Sequence, residues 1–138
     1  MTAAAKPHKA VSILFVEDDE LILELQASIL AANFPDIVFY TAVNGRLGLE
    51  LFKAHLPDIV ITDINMPELC GVQMCNSIHA LKPETRFIAI TGKSGRVVLQ
   101  DHDGNEFEFD HVIVKPVGFQ KLFAAVEQCM ERLHIKPE

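Results

Sequence analysis

Acidic, hydroxyl and ammonium side chains stand at the ends of four short apolar runs in this chain of 138 residues. Glu17-Asp18-Asp19 follows the run 13–16, Asp63 follows 59–62, Thr91 follows 87–90, and Lys115 follows 112–114. If those runs are neighbouring strands, the carboxylates lie a few ångströms apart, and one keeps its proton unless a cation intervenes. Mg²⁺ suits such a place, because it takes one or two carboxylates together with water and a phosphate oxygen. Asp63, once phosphorylated, gains a charge of about −1.5 to −2 and three acceptor oxygens. Mg²⁺, the Lys115 ammonium and the Thr91 hydroxyl would serve those oxygens one each. A carboxylate nucleophile on phosphorus, with cations spreading the charge, is a chemically complete arrangement for phosphoryl transfer.

The elements that must position these groups follow from periodicity. Strands are expected over 11–16, 36–41, 58–62, 86–90 and 111–114. Between them lie helical patterns, with apolar faces of Leu21, Ile22, Leu25 and Ile29, then Leu47, Leu51 and Phe52, then Val72, Cys75 and Ile78. Leu122, Phe123, Val126, Met130 and Leu133 form the last and clearest face. Asn44-Gly45 opens the second helix, and Leu56-Pro57 and Lys82-Pro83 close the second and third. Strand–helix alternation of this kind predicts an α/β fold, a parallel sheet covered by helices on both faces. Continuously apolar strands agree with burial on both sides. In such sheets ligands bind outside the carboxyl ends of the strands, which is where the reactive residues fall. The segment 92–110 fits less well. Residues 96–100 are short and β-branched, 101–106 is turn-like, and Phe107-Glu108-Phe109 alternates like a strand. A stunted fourth helix followed by an irregular loop is expected there.

The length fits one domain over 11–134, after a flexible lead-in over 1–10 and before a tail over 135–138. About half the residues are hydrophobic (49%), enough to bury a core without disulfides. Residues 1–10 lack the apolar centre of a secretory signal, and no apolar run approaches the ~18 residues of a membrane span. The three cysteines match no zinc spacing and read as reduced thiols of a cytoplasmic protein. A net charge of −7 argues against direct nucleic-acid or membrane-surface binding. Asp101-His102-Asp103, beside Gly104, reads as a solvated turn rather than a metal site, and Asp19 as a helix cap.

The stretches ILFVEDD, TAVNG, PDIVITDINMPELCG, FIAITG and VIVKP resemble the response-regulator receiver domains of two-component signalling, over about 11–133. The resemblance implies a flavodoxin-like, doubly wound five-stranded sheet of order 2-1-3-4-5. It implies that Asp63 is the phosphoacceptor and that Glu17 and Asp18 are the acidic pair, with Asp18 the more direct Mg²⁺ ligand. Asn65 would offer its backbone carbonyl to the metal, Thr91 and Lys115 would hold the phosphoryl group, and Lys115–Pro116 would be cis. A sensor histidine kinase or histidine phosphotransfer protein would supply the phosphoryl group. The domain would catalyse only its own phosphorylation and slow dephosphorylation, then relay the signal by conformational change to an output partner. Val112 stands where receivers often carry Tyr or Phe, with His111 expected to point to the opposite face. Two other readings compete. A pseudo-receiver would bind partners without phosphate, but Asp63, Lys115 and the acidic pair are all present. An aspartyl-phosphate hydrolase of the haloacid-dehalogenase kind needs an acid two residues after the nucleophile, where this chain has Asn65.

Overall fold

The computed structural model describes residues 10–92 and 96–133, so residues 1–9 of the expected lead-in over 1–10, residues 93–95 of the expected fourth-helix segment and the expected tail over 135–138 lie outside the described residues. Seven strands and four helices follow one another in the described chain. They are β1 (Ser12–Val16), α1 (Glu20–Asn33), β2 (Val38–Ala42), α2 (Gly45–His55), β3 (Ile59–Asp63) and α3 (Gly71–Leu81). Then come β4 (Arg86–Thr91), β5 (Val98–Gln100), β6 (Glu106–Glu108), β7 (His111–Val114) and α4 (Phe119–Leu133). Five strands form a parallel sheet in the order β2-β1-β3-β4-β7. Counting only the strands of that sheet, this is the expected 2-1-3-4-5 order. No helix among the described residues is long and apolar enough to cross a membrane.

Alternation along the buried strands divides the core into two layers. Ile13, Phe15, Ile59, Ile61, Ile88, Ile90 and Ile113 face α1 and α4, which answer with Leu23, Leu30, Leu122 and Val126. Leu14, Val16, Val60 and Ala89 face α2 and α3, where Phe52, Val72, Met74 and Ile78 meet them. Val112 packs on this second side and Ile113 on the first, as alternation requires. Local chemistry sets the helix ends. The Asp19 carboxylate accepts from the Leu21 and Ile22 N–H groups at 3.0 and 3.2 Å, and Asn44 Oδ1 accepts from Leu47 N–H at 2.8 Å. Helix α2 closes on Leu56 in the left-handed region (φ 49°), just before Pro57.

The structure corrects the expected face of α1. Leu23, Gln26 and Leu30 are buried, whereas Leu21, Ile22 and Leu25 are exposed. The helix is apolar almost all round, so spacing alone selects no face. In α2 the buried stripe is Gly45, Gly48 and Phe52, with Leu47 exposed. A Cβ at Gly48 would stand 2.9 Å from Met74 Sδ and 3.0 Å from a Val16 methyl, so glycine lets α2 settle onto the sheet.

The expected fourth helix after β4 is also corrected. Residues 98–100 form a strand, paired antiparallel with β6 in a hairpin whose turn is held by Asp101. Asp101 Oδ1 accepts from the Asp103 and Asn105 N–H groups at 2.9 Å each, so Asp101-His102-Asp103 is an exposed turn, as expected. Val97 and Val98 are β-branched and favour the extended state. Alternation then turns Phe107 inward between exposed Glu106 and Glu108. Phe107 anchors the hairpin, edge-on to Phe87 at 4.7 Å and to Phe109 at 4.9 Å between ring centroids.

That anchoring predicts a contrast measurable by urea unfolding. Phe107→Ala should cost about 3 kcal/mol, the usual cost of emptying a buried aromatic site. Val98→Ala, on the exposed strand, should cost no more than about 0.5 kcal/mol. Equal, small effects would mean that the hairpin is not packed on α3 and β4.

Candidate functional site

The carboxyl ends of β1, β3, β4 and β7 meet at one edge. Register places Asp63 opposite Ile90 on β4, and Thr91 opposite Val114 on β7, so the last residues of these strands converge. The Lys115 N–H donates to the Thr91 carbonyl at 2.8 Å and continues the ladder one residue past β7. The Lys115–Pro116 peptide is cis.

Side chains complete the site. Carboxylate oxygens of Glu17, Asp18 and Asp63 lie within 4.8 Å of one another, with Glu17 and Asp63 buried and Asp18 exposed. Lys115 Nζ donates to Asp63 Oδ2 at 2.8 Å, and Asn65 N–H donates to Asp63 Oδ1 at 3.2 Å. Thr91 is buried at the end of β4. The structure thus brings Glu17, Asp18, Asp63, Asn65, Thr91 and Lys115 to one edge. Asp19 turns away to cap α1 while its N–H donates to Glu17 Oε2 at 3.0 Å.

Electrostatics explain why such a cluster wants a cation. Two carboxylates this close repel by about 3 kcal/mol at an effective dielectric of ~20. Burial pushes the Glu17 carboxyl up to about 7, against the Asp19 hydrogen bond, and the Asp63 charge adds to the rise. Lys115 moves upward too, chiefly through its hydrogen bond to Asp63 and in spite of partial burial. One ammonium faces three acids. A hard, oxygen-only donor set with surplus negative charge fits Mg²⁺, and Glu17, Asp18 and Asp63 form the one such acidic cluster among the described residues.

Three further features flank these residues. Gly71 opens α3 against the loop that follows β3, and its N–H donates to the Ile64 carbonyl at 3.1 Å. Arg46 stands with Asp18, Asn44 and Glu68 in a cleft on one side of the site. On the other side, a cavity of about 330 Å³ is lined by Asn65 and Thr91 together with Arg96, Gln100 and Glu106 of the hairpin segment.

Comparison with known proteins agrees with this geometry. Residues 13–127 match the family model for the response regulator receiver domain. A probable C4-dicarboxylate response regulator, DctR of Priestia megaterium, is 32% identical over 124 residues, covering 87% of this chain and 52% of the relative. The transcriptional regulatory protein CseB of Streptomyces avermitilis is 41% identical over 122 residues, covering 87% of this chain and 49% of its own length. The chain therefore spans about half the length of these curated relatives. Among solved structures, the signal receiver domain of an HD domain-containing protein from Pseudomonas fluorescens Pf-5 superposes with a TM-score of 0.78. That match is 26% identical and covers 93% of this chain and all (100%) of the other. The chain belongs to the response regulator receiver family.

Close packing of Gly71 under the loop that follows β3 leads to a stability prediction. A Cβ there would stand 2.7 Å from the Asp63 carbonyl oxygen and 3.0 Å from Ile64 Cα, both backbone atoms. Gly71→Ala should cost about 2 kcal/mol by overpacking, whereas Gly92→Ala, with nothing within 4 Å of its Cβ, should cost far less. Thermal unfolding of the two variants checks this, and equal midpoints would contradict the packing.

Proposed function

We propose that Asp63 is the phosphoacceptor of this receiver domain, phosphorylated by a sensor histidine kinase or a histidine phosphotransfer protein. The observation that carries the reading is the Asp63 carboxylate itself, buried at a strand end, 2.8 Å from the Lys115 ammonium and grouped with Glu17 and Asp18. Asp63 Oδ attacks phosphorus and forms the new O–P bond. The bond from phosphorus to the donor imidazole nitrogen breaks, and the imidazole keeps the electron pair and takes up a proton. Lys115 follows the charge as it moves from the Asp63 carboxylate onto the phosphoryl oxygens, and the Thr91 hydroxyl donates to another of them.

Mg²⁺ belongs to the proposal, held by Glu17, Asp18 and Asp63 with the Asn65 carbonyl. Bound there, it supplies the positive charge that the acids lack and that the transferring group needs. The domain acts as an enzyme only toward itself, in its own phosphorylation and dephosphorylation. Its conformational change passes the signal to an output partner, without direct contact with nucleic acid or membrane. Net charge of −7 supports that last part. A cytoplasmic setting is supported by the free thiols of Cys70, Cys75 and Cys129. Residues 11–134 form the functional unit of this reading.

Intact-mass measurement with acetyl phosphate and Mg²⁺ tests it. One phosphoryl group should appear on the wild type and none on Asp63→Asn or after chelation of the metal. Lys115→Met should slow incorporation by about 10²-fold, the usual loss on removing one charge-stabilising donor. Undiminished labelling of Asp63→Asn would place the chemistry elsewhere.

A further inference from the structure

Strand β5 has an open edge. The Val97 carbonyl accepts from the Phe109 N–H at 2.7 Å, and the Asp101 N–H donates to the Asn105 carbonyl at 2.9 Å, so both peptide groups turn toward the facing strand. Alternation along an antiparallel pair then turns the N–H and C=O of Val98 and Gln100 the other way, to the outer edge. The sheet has no strand on that side, and among the described residues nothing hydrogen-bonds to those four groups. The outer edge of β6 is covered instead, since Asn76 Nδ2 of α3 donates to the Glu106 carbonyl at 3.4 Å. Room and side chains accompany the open edge. The cavity of about 330 Å³ is lined by all three residues of β5, with Ile64 and Asn65 across from them. Val98 stands opposite Glu108 and Gln100 opposite Glu106, so the exposed face of the hairpin carries two carboxylates. Gln100 Nε2 donates to Glu106 at 2.9 Å, but neither acid pairs with a cation among the described residues. Leu99 and Phe107 turn to the opposite face and pack on the core.

We propose that β5 is a docking edge for an extended segment of a protein partner, one that alternates basic and apolar residues and joins the hairpin as a third strand. An unpaired edge is a template for such a strand. Main-chain bonds to Val98 and Gln100 give affinity, and alternate side chains give specificity. A residue opposite Val98 or Gln100 has its side chain on the face of Glu106 and Glu108, two strand spacings or about 10 Å from those acids. A lysine or arginine leaning across β5 reaches them, and opposite charges on one face of a sheet attract. The residues between point to the side of Leu99 and Phe107, where apolar groups fit. A second copy of this chain fits worse, because it brings another Glu106 and Glu108 and a further net charge of −7. The inference stands apart from the assignment of Asp63 and needs no phosphoryl group.

Titration of the isotope-labelled chain with acetyl-Lys-Val-Lys-Val-Lys-amide, followed by NMR, tests it. In millimolar peptide the Val98 and Gln100 amides should shift and exchange with solvent about 10-fold more slowly. Glu108→Gln should weaken binding about 3-fold, and about 0.5 M salt should weaken it as well. The Glu-Val-Glu-Val-Glu counterpart should not bind. Register supplies a sharper control. Methylating the lysine backbone nitrogens removes the donors aimed at β5 and should abolish binding, whereas methylating the valine nitrogens, which point away from β5, should preserve it. Val98→Pro should block docking and keep the β5–β6 bonds, in which the Val98 N–H takes no part. Unmoved Val98 and Gln100 amides would overturn the proposal, as would equal binding of the two methylated peptides or of the acidic one. So would a concentration-dependent dimer of the free chain that protects the same two amides, because the occupant would then be a second copy.

Discussion

Three carboxylates, two of them buried, crowd the end of one sheet, and much of the molecule can be understood from their repulsion. Glu17 and Asp63 terminate β1 and β3, which are hydrogen-bonded neighbours, so their side chains cannot move apart without breaking the ladder. The core that fixes these strands is apolar on both faces, and neither layer offers the acids a partner. Compensation must come from the loops beyond the strand ends. Lys115 supplies one positive charge from the loop after β7, and the Asn65 N–H supplies a dipole from the loop after β3. Glu17 still prefers its proton to near neutrality. A site in this condition is prepared for a divalent cation and then for the anion that the cation brings.

Loops that bear such charges must be held, and two devices do so. The loop between β3 and α3 is clamped by glycines. A side chain at Gly71 would strike the Asp63 carbonyl, and one at Gly45 would strike the Leu69 carbonyl, so α2, α3 and the loop after β3 close on one another backbone to backbone. The far side of the site is held by a hairpin rather than a helix. Its Phe107 is wedged among Phe87, Phe109 and His79, which ties the hairpin to the α2–α3 side of the sheet. The base of β4 and β7 is fastened separately, where the Asp110 carboxylate accepts from the Phe87 N–H at 2.8 Å and pairs with Arg86 and Arg132.

Strands, and the polar residues that the strands bring to one edge, were legible in the sequence because both follow local rules. A strand buried on two faces is a continuous apolar run, and the residue that ends it lies at the sheet edge whatever the helices do. His111–Val114 falls where its pattern puts it, and the other sheet strands differ by a residue or two at their ends. The α1 face was not legible, since Leu21, Leu23, Leu25 and Leu30 cannot all be inside and only packing chooses among them. The hairpin was half legible. Val97-Val98, the Asp101–Gly104 turn and the alternation around Phe107 each pointed to extended structure, but regular strand–helix alternation argued for a helix and prevailed. The cavity lined by Thr91 and Arg96 could not be foreseen for the same reason, because its wall exists only once residues 98–108 fold back as two strands.

The proposed function requires one bond, from Asp63 Oδ to phosphorus. Borohydride reduction of the chain after treatment with acetyl phosphate and Mg²⁺ converts an aspartyl phosphate to homoserine, and peptide sequencing by mass spectrometry locates it. Homoserine at position 63, dependent on Mg²⁺ and absent without the donor, is the predicted result. Homoserine at another aspartate, or a phosphoryl group that survives reduction on a histidine or hydroxyl side chain, would contradict it.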